Sequence, residues 1–206
     1  KFGTQKFIVY FQSFTNTYAP FSTLKALYEK ALSFENVIGL SIERAIEALF
    51  PDANAGEVLN LVNRYETAYF SKKISRDDLF SGIYEMLETL NQAGFKLAVA
   101  TGKTREGLDE ALDATNTRDL FWLTRCADET KSKPHPLMLE EIMAYTKISP
   151  ERTLMVGDST HDLQMALNAG IASIGVASGA HNPKQLQDCQ PLHCFLQTTE
   201  LLPHFI

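Results

Sequence analysis

From Gly82 onward, apolar runs with strand character alternate with runs that have helical spacing. The predicted helices in this part of the chain are Ile83–Leu90, Arg105–Ala114 and Pro136–Tyr145. The predicted strands are Lys96–Ala100, a short apolar stretch around Phe121–Leu123, and strands near Thr153 and Ile171. Strands that alternate with helices of roughly 10 to 15 residues are typical of βαβ units. The alternation therefore predicts a parallel sheet with helices packed on it.

The residues before Gly82 have a different pattern. Phe7–Phe11 is rich in β-forming residues and predicts a first central strand that runs into a polar loop. From about residue 21 to residue 80, apolar residues recur at helical spacing, and no convincing strand pattern interrupts them. We therefore predict an α/β fold with a Rossmann-like parallel sheet flanked by helices. Residues 1–17 and 83–206 would form this core, and residues 18–82 an inserted all-helical cap domain.

Composition and charge limit the classes of partner. The chain has 206 residues, of which 45% are hydrophobic and 21% charged, and its net charge is −6. These proportions are ordinary for a soluble globular protein. The negative charge argues against binding to nucleic acid or to an anionic membrane, because the phosphate groups of both attract clustered Lys and Arg. We therefore predict neither of these partners.

Two further features bear on the compartment. No apolar stretch approaches the length of a membrane span, and residues 1–6 lack the apolar region of a signal peptide. The three cysteines, Cys126, Cys189 and Cys194, are odd in number and lack Cys-x-x-Cys spacing. This pattern indicates neither a disulfide framework nor a zinc site. We expect a cytoplasmic protein with three structural thiols.

Two carboxylates, Asp158 and Asp162, follow the apolar strand pattern at Thr153–Val156. Asp158 would lie at the carboxyl end of that strand, and Asp162 at or near the first turn of the next helix. Ligands bind at this edge of open parallel sheets, and carboxylate oxygens there suit Mg²⁺. The alternative is that Asp158 caps the helix and Asp162 favours its positive end. Local sequence does not decide between the two.

The segment Thr101-Gly102-Lys103-Thr104 follows a predicted strand and opens a helix. The Thr101 hydroxyl and the backbone N–H groups are therefore placed to hold a phosphate at a helix N-terminus. Simple N-capping by Thr101 or Thr104 explains the same residues equally well. A Walker A loop is excluded, because that motif needs glycine where Leu97 stands.

Lys133 lies between Ser132 and two prolines, Pro134 and Pro136, just before a predicted helix. The prolines restrict the backbone, and an ammonium held there is suited to neutralising phosphate charge. Considered alone, a lysine beside a turn is more often solvated. His135 is expected to be a packing or loop residue rather than a base.

Taken together, the strand-end Thr101, the proline-flanked Lys133 and the Asp158/Asp162 pair occur in order on successive units of one sheet. This arrangement resembles the haloacid dehalogenase superfamily, and within it the phosphoglycolate-phosphatase-like members with a helical cap. The segments that carry the resemblance are Leu97–Leu112, Cys126–Leu139 and Leu154–Gly170.

The resemblance implies a role for each residue. Thr101 and Gly102 would bind the phosphoryl group, Lys133 would offset negative charge, and Asp158 with Asp162 would bind Mg²⁺. The substrate implied is a small phosphorylated metabolite. Members of the family attack a phosphate monoester with an aspartate at the end of the first strand, and a second aspartate two residues later protonates the leaving oxygen.

The first strand departs from this pattern. The family's Asp-x-Asp-Gly-Thr is matched here by Phe11-Gln12-Ser13-Phe14-Thr15, so only Thr15 agrees. Phe11 has no lone pair with which to attack phosphorus, and the Ser13 hydroxyl is too weak an acid to replace a carboxyl. Three hypotheses remain open: a Mg²⁺-dependent phosphatase, a catalytically silent member that binds a phosphorylated ligand or a protein, and a chain whose first 20 residues are altered.

Overall fold

The computed structural model describes residues 7–10, 40–70 and 74–206. These described residues contain six strands: β1 (Phe7–Tyr10), β2 (Lys96–Thr101), β3 (Leu123–Cys126), β4 (Thr153–Gly157), β5 (Ala172–Val176) and β6 (His193–Phe195). They form one parallel sheet in the order β3-β2-β1-β4-β5-β6. The amino-terminal strand therefore lies in the middle of the sheet, between β2 and β4. The predicted α/β class is confirmed.

Seven α-helices connect or flank these strands in the described part of the chain. They are α1 (Ile42–Leu49), α2 (Ala55–Phe70), α3 (Ile83–Gln92), α4 (Arg105–Ala114), α5 (Leu137–Thr146), α6 (Thr160–Asn168) and α7 (Pro183–Gln187). Short 3₁₀ turns occupy Arg76–Asp78, Arg118–Leu120, Pro150–Arg152 and Thr198–His204. The helices predicted after Gly82 correspond to α3, α4 and α5, with ends that differ by two residues or fewer. None of the described helices combines the length and apolarity that crossing a membrane requires.

The hydrophobic core lies on both faces of the sheet. One cluster contains Leu97, Val99 and Val156 from the strands together with Leu87 and Leu108 from α3 and α4. The other contains Ala98, Ala100 and Met155 from the strands together with Leu139 and Met165 from α5 and α6. Successive residues of β2 and β4 thus alternate between the two clusters. Burial on both faces explains why these strands read as continuous apolar runs rather than as an alternating pattern.

The predicted cap is described only in part. Helices α1 and α2 lie within it, as the helical spacing predicts, whereas residues 11–39 and 71–73 lie outside the described part of the chain. Among the cap residues that the structure describes, none forms a strand. The division into core and cap stays a prediction.

Three elements near the sheet edges differ from the sequence-based expectation. Strand β3 begins at Leu123, later than the stretch predicted around Phe121–Leu123, and a 3₁₀ turn at Arg118–Leu120 precedes that stretch. Strand β6 and helix α7 are not predicted by the apolar pattern, because His193 and Cys194 break it and α7 is only five residues long. Short edge elements carry little periodicity and are easily missed.

Candidate active site

The candidate residues meet at the carboxyl edge of the sheet. Thr101 is the last residue of β2, and Asp158 directly follows β4. Lys133 lies in the loop that joins β3 to α5 (the β3–α5 loop, residues 127–136). All three side chains are buried, with exposures of 2%, 3% and 0% respectively. Because the strands are parallel, the segments that follow them emerge at one edge, which is where ligands bind in open α/β sheets.

Lys133 forms an ion pair with Asp162. Its Nζ lies 2.6 Å from Asp162 Oδ1, and both side chains are fully buried. Burial lowers the pKa of the Lys133 ammonium, while the carboxylates of Asp162 and Asp158 act in the opposite direction. The solvated alternative for Lys133 is therefore wrong. The peptide bond that joins Lys133 to Pro134 is cis.

The second oxygen of Asp162 closes the first turn of α6. Ser159 donates to Asp162 Oδ2 from its backbone N (3.1 Å) and from its hydroxyl (2.7 Å), and Ser159 Oγ accepts from Asp162 N (3.3 Å). This is a reciprocal capping box, so the N-cap is Ser159 rather than Asp158. A Cβ on Gly157 would overlap the Asp162 side chain, so the turn leaves room only for glycine.

Both oxygens of Asp162 are thus engaged by protein groups, and its contact with Mg²⁺ stays a prediction. The geometry instead assigns Asp162 a clear contact with Lys133. Asp162 therefore stabilises the start of α6, as one of the two alternatives predicts, and in addition pairs with Lys133.

Asp158 is held from the loop that joins β5 to α7 (the β5–α7 loop, residues 177–182). Its Oδ2 accepts from Ala180 N (2.9 Å), and its carbonyl oxygen accepts from His181 N (3.0 Å). A carboxylate at a strand end is a hard oxygen donor, which suits Mg²⁺, a cation that takes one or two protein carboxylates and keeps several waters. The described residues fit that cation through Asp158. In this part of the chain no cluster of three or more His, Cys, Asp or Glu is placed to hold a metal by itself.

Thr101 is placed beside the start of α4. Its Oγ1 accepts from Lys103 N (3.2 Å), whereas Thr104 is the residue that caps α4 by accepting from Gly107 N (3.3 Å). The capping alternative is therefore confirmed for Thr104. The Thr101 hydroxyl instead accepts a hydrogen bond from the backbone just after the end of β2. Gly102 is half-buried between them. Burial lowers the pKa of Lys103 to about 8, and Glu110 opposes that effect.

A polar network joins the segment after β2 to the β3–α5 loop. Arg105 Nε and Nη2 donate to the two carboxylate oxygens of Glu129 at 2.9 and 2.7 Å, and Arg105 N donates to the Asp128 carboxylate. Ala127 N donates to Lys103 O at 3.1 Å. These bonds fix the threonine-bearing segment against the loop that carries the lysine.

The predicted cap also contacts this loop. Ser41 N, at the start of α1, donates to Ser132 Oγ at 3.1 Å, one residue before Lys133. Phe11, Ser13 and Phe14, which replace the expected first-strand residues, lie outside the described part of the chain. Two surface clefts of about 420 and 670 Å³ lie elsewhere, beside Trp122 and beside Asn54.

Sequence reasoning missed several residues of the site. Ser159 carries a detectable signal, because Ser-x-x-Asp before an apolar helix is a capping box pattern. Ala180 and His181 carry none, because each contacts Asp158 through its backbone N–H. The predicted structural role of the cysteines is consistent with their state: all three are free, and burial raises the pKa of Cys126 to about 12.

Comparison with known proteins decides the family. Residues 5–176 match the family described as haloacid dehalogenase-like hydrolase. The chain belongs to this haloacid dehalogenase-like (HAD-like) family. A probable phosphatase, IndB of Dickeya dadantii, is 33% identical to this HAD-like hydrolase over 178 residues, 82% of this chain and 77% of that protein. A phosphoglycolate phosphatase of Vibrio vulnificus is 34% identical over 114 residues, 55% of this chain and 50% of that protein.

The fold comparison agrees. The crystal structure of a putative haloacid dehalogenase-like hydrolase from Bacteroides fragilis superposes with a TM-score of 0.79 at 20% identity, covering 96% of this chain and all of that one. The chain is thus a HAD-family member related to phosphatases, including phosphoglycolate phosphatases.

Proposed function

We propose that this HAD-like hydrolase chain binds Mg²⁺ and the phosphoryl group of a small phosphate monoester, such as phosphoglycolate. The observation that carries the proposal is the fully buried ion pair of Lys133 and Asp162 next to Asp158. Burying charged groups costs several kcal/mol unless they are paired, and such groups cluster at functional sites. An ammonium held beside the carboxylates of Asp162 and Asp158, at the sheet edge where Thr101 ends β2, is suited to an anionic ligand.

Each described residue has a distinct task in this proposal. Thr101 and the backbone of Gly102 hold oxygens of the phosphoryl group, and Lys133 neutralises their charge. Asp158, with help from Asp162, holds the cation, which supplies Lewis-acid stabilisation of the phosphoryl oxygens when bound. The ligand is a small metabolite rather than nucleic acid or a membrane surface, because the chain carries a net charge of −6. We place the protein in the cytoplasm.

We further propose that the unmodified chain binds this ligand but hydrolyses it slowly. Phe11 supplies no nucleophile and Ser13 supplies no carboxylic acid. Loss of a covalent nucleophile costs roughly 10⁴ to 10⁶ in rate by analogy with hydrolases. The second candidate is ordinary phosphatase turnover by the chain as it stands. It is favoured by the family match over residues 5–176, which runs through the first strand.

Restoration of the first motif tests the proposal. The triple variant Phe11→Asp, Ser13→Asp, Phe14→Gly is compared with the wild-type chain for phosphate release from p-nitrophenyl phosphate with Mg²⁺. Intact-mass measurement first confirms that residues 11–14 are as written. We expect the triple variant to gain at least about 10³-fold in rate, because a nucleophile re-enters a pocket that already binds phosphate.

The matched control adds Asp158→Asn to the triple variant. Asn keeps the size of the side chain and its ability to accept from Ala180 N, but it removes the charge that attracts the cation. The control is expected to lose the gain. Ordinary turnover by the wild-type chain would support the second candidate instead. No gain in the triple variant would show that the pocket has lost more than its first motif.

A further inference from the structure

The β5–α7 loop (residues 177–182) touches Asp158 at two places. Ala180 N donates to the carboxylate oxygen Oδ2 at 2.9 Å, which restrains rotation of the carboxylate about its last side-chain bond. His181 N donates to the Asp158 carbonyl oxygen at 3.0 Å, which restrains the backbone of the same residue. Side chain and main chain of Asp158 are therefore both held from one loop.

Gly179 allows this close approach. A Cβ built on Gly179 would overlap the Asp158 carboxylate, including Oδ2, the atom that accepts from Ala180. The φ angle of Gly179 does not lie in the left-handed region. The reason for glycine here is therefore space beside the carboxylate rather than backbone conformation.

His181 extends the same support to the start of α6. Its ring is buried, with 5% exposure, and its Nδ1 accepts from Thr160 N at 3.1 Å. Because Nδ1 accepts this hydrogen bond, the neutral ring carries its proton on Nε2. His181 thus contacts both neighbours of Ser159. The His181 backbone N–H donates to Asp158, and the His181 ring accepts from Thr160.

We infer that Gly179 and His181 are positioning residues of the cation site and hold Asp158 in the orientation that binds Mg²⁺. The inference rests on the proposed function, because the cation site is part of it. Loss of the groups that orient a metal ligand typically costs 10- to 100-fold in metal affinity. Neither residue contacts the phosphoryl group in this role.

Direct measurement of cation binding tests the inference. Mn²⁺, a spectroscopically visible substitute for Mg²⁺, is titrated into each protein, and free Mn²⁺ is followed by electron paramagnetic resonance. We expect Gly179→Ala and His181→Ala to bind Mn²⁺ about 10- to 100-fold more weakly than the wild type. His181→Asn is expected to recover most of the affinity, because its side-chain oxygen is able to accept from Thr160 N as Nδ1 does.

Ser178→Ala is the matched control, because Ser178 lies in the same loop and its hydroxyl faces Thr198 Oγ1 at 3.5 Å rather than Asp158. It should bind Mn²⁺ like the wild type. Equal affinity of the wild type, Gly179→Ala and His181→Ala would overturn the inference and leave the proposed function standing. Equally weak Mn²⁺ binding by His181→Asn and His181→Ala would also overturn the inference and leave the proposed function standing. Absence of Mn²⁺ binding by the wild type would overturn the proposed cation site, and the inference with it.

Discussion

Lys133 illustrates how one residue depends on its partner. An ammonium without exposure is tolerated because Asp162 lies at 2.6 Å, and Asp162 in turn is held by Ser159. Breaking such a buried pair leaves an uncompensated charge in a medium that solvates it poorly. The pair therefore contributes to stability as well as to the proposed anion site.

Replacement of Lys133 by methionine should destabilise the protein. Lys133→Met keeps the chain length but leaves the Asp162 carboxylate buried without its cation, which is expected to cost about 3–5 kcal/mol. Chemical denaturation measures the free energy of unfolding. The control is Lys131→Met, two residues away and exposed, which should change that free energy by less than about 0.5 kcal/mol. A loss below about 1 kcal/mol in Lys133→Met would contradict the importance of the pair.

At the scale of elements, the contact between the segment that follows β2 and the β3–α5 loop determines how the site is arranged. Arg105, the first residue of α4, binds Glu129 of the β3–α5 loop through two parallel hydrogen bonds. Paired bonds of this kind fix orientation as well as distance. Thr101 and Lys133 lie on the two segments that this contact joins, so their relative position depends on groups that do not touch the ligand.

The contact between Arg105 and Glu129 should make the free energy of unfolding depend on pH. Hydrogen bonds from Arg105 hold the pKa of Glu129 below its ordinary value of 4.5. Because the pKa of Glu129 is depressed in the folded state, the stabilisation by its ion pair with Arg105 is fully present above about pH 4.5. It is lost as the pH falls through the folded-state pKa. Glu129→Gln should therefore lower the free energy of unfolding by about 1 kcal/mol at pH 7, a value that allows for solvent screening.

Denaturation at a series of pH values measures this effect. The difference between Glu129→Gln and the wild type should shrink as pH falls below 4.5. Glu106→Gln, an exposed change in the first turn of the same helix, is the control and should show no comparable pH-dependent difference. A constant difference from pH 7 to acid pH would contradict the ion pair as its cause.

For the molecule as a whole, the formation of the sheet does not depend on which side chains stand in the candidate active site. β1 pairs with β2 and β4 through backbone hydrogen bonds, which do not require the residues that follow it. The two apolar clusters pack on opposite faces of this continuous sheet. A chain with Phe11 and Ser13 in its first motif therefore retains the pairing that places Thr101, Lys133 and Asp158 at one edge.

Strand β4, which pairs with β1 in the middle of the sheet, should carry much of this stability. Met155 of β4 is fully buried in the cluster beneath α5 and α6. Met155→Ala removes buried apolar surface and leaves a cavity, which is expected to cost about 2–5 kcal/mol in the free energy of unfolding. Leu167→Ala, on the exposed side of α6, should cost far less, because that side chain is 62% exposed. Similar losses in the two variants would contradict the packing described for β4.

The sequence by itself determined the repeating strand and helix pattern, because buried parallel strands and amphipathic helices leave periodicities that are local in the chain. It also determined where Thr101 and Asp158 stand, since each lies at the end of an apolar run. The capping box at Ser159 and Asp162 also has a local signature, although Asp158 is the cap that the sequence-based alternative predicts.

Only the tertiary structure decided what Lys133 and Asp158 contact. Lys133 meets Asp162 across 29 residues, and Asp158 meets Ala180 across 22. The first contact reverses the local expectation of a solvated lysine, and the second is made by a backbone N–H that any residue except proline provides. Such contacts have no signature in local sequence, because they arise when parallel strands bring distant segments to one edge of the sheet.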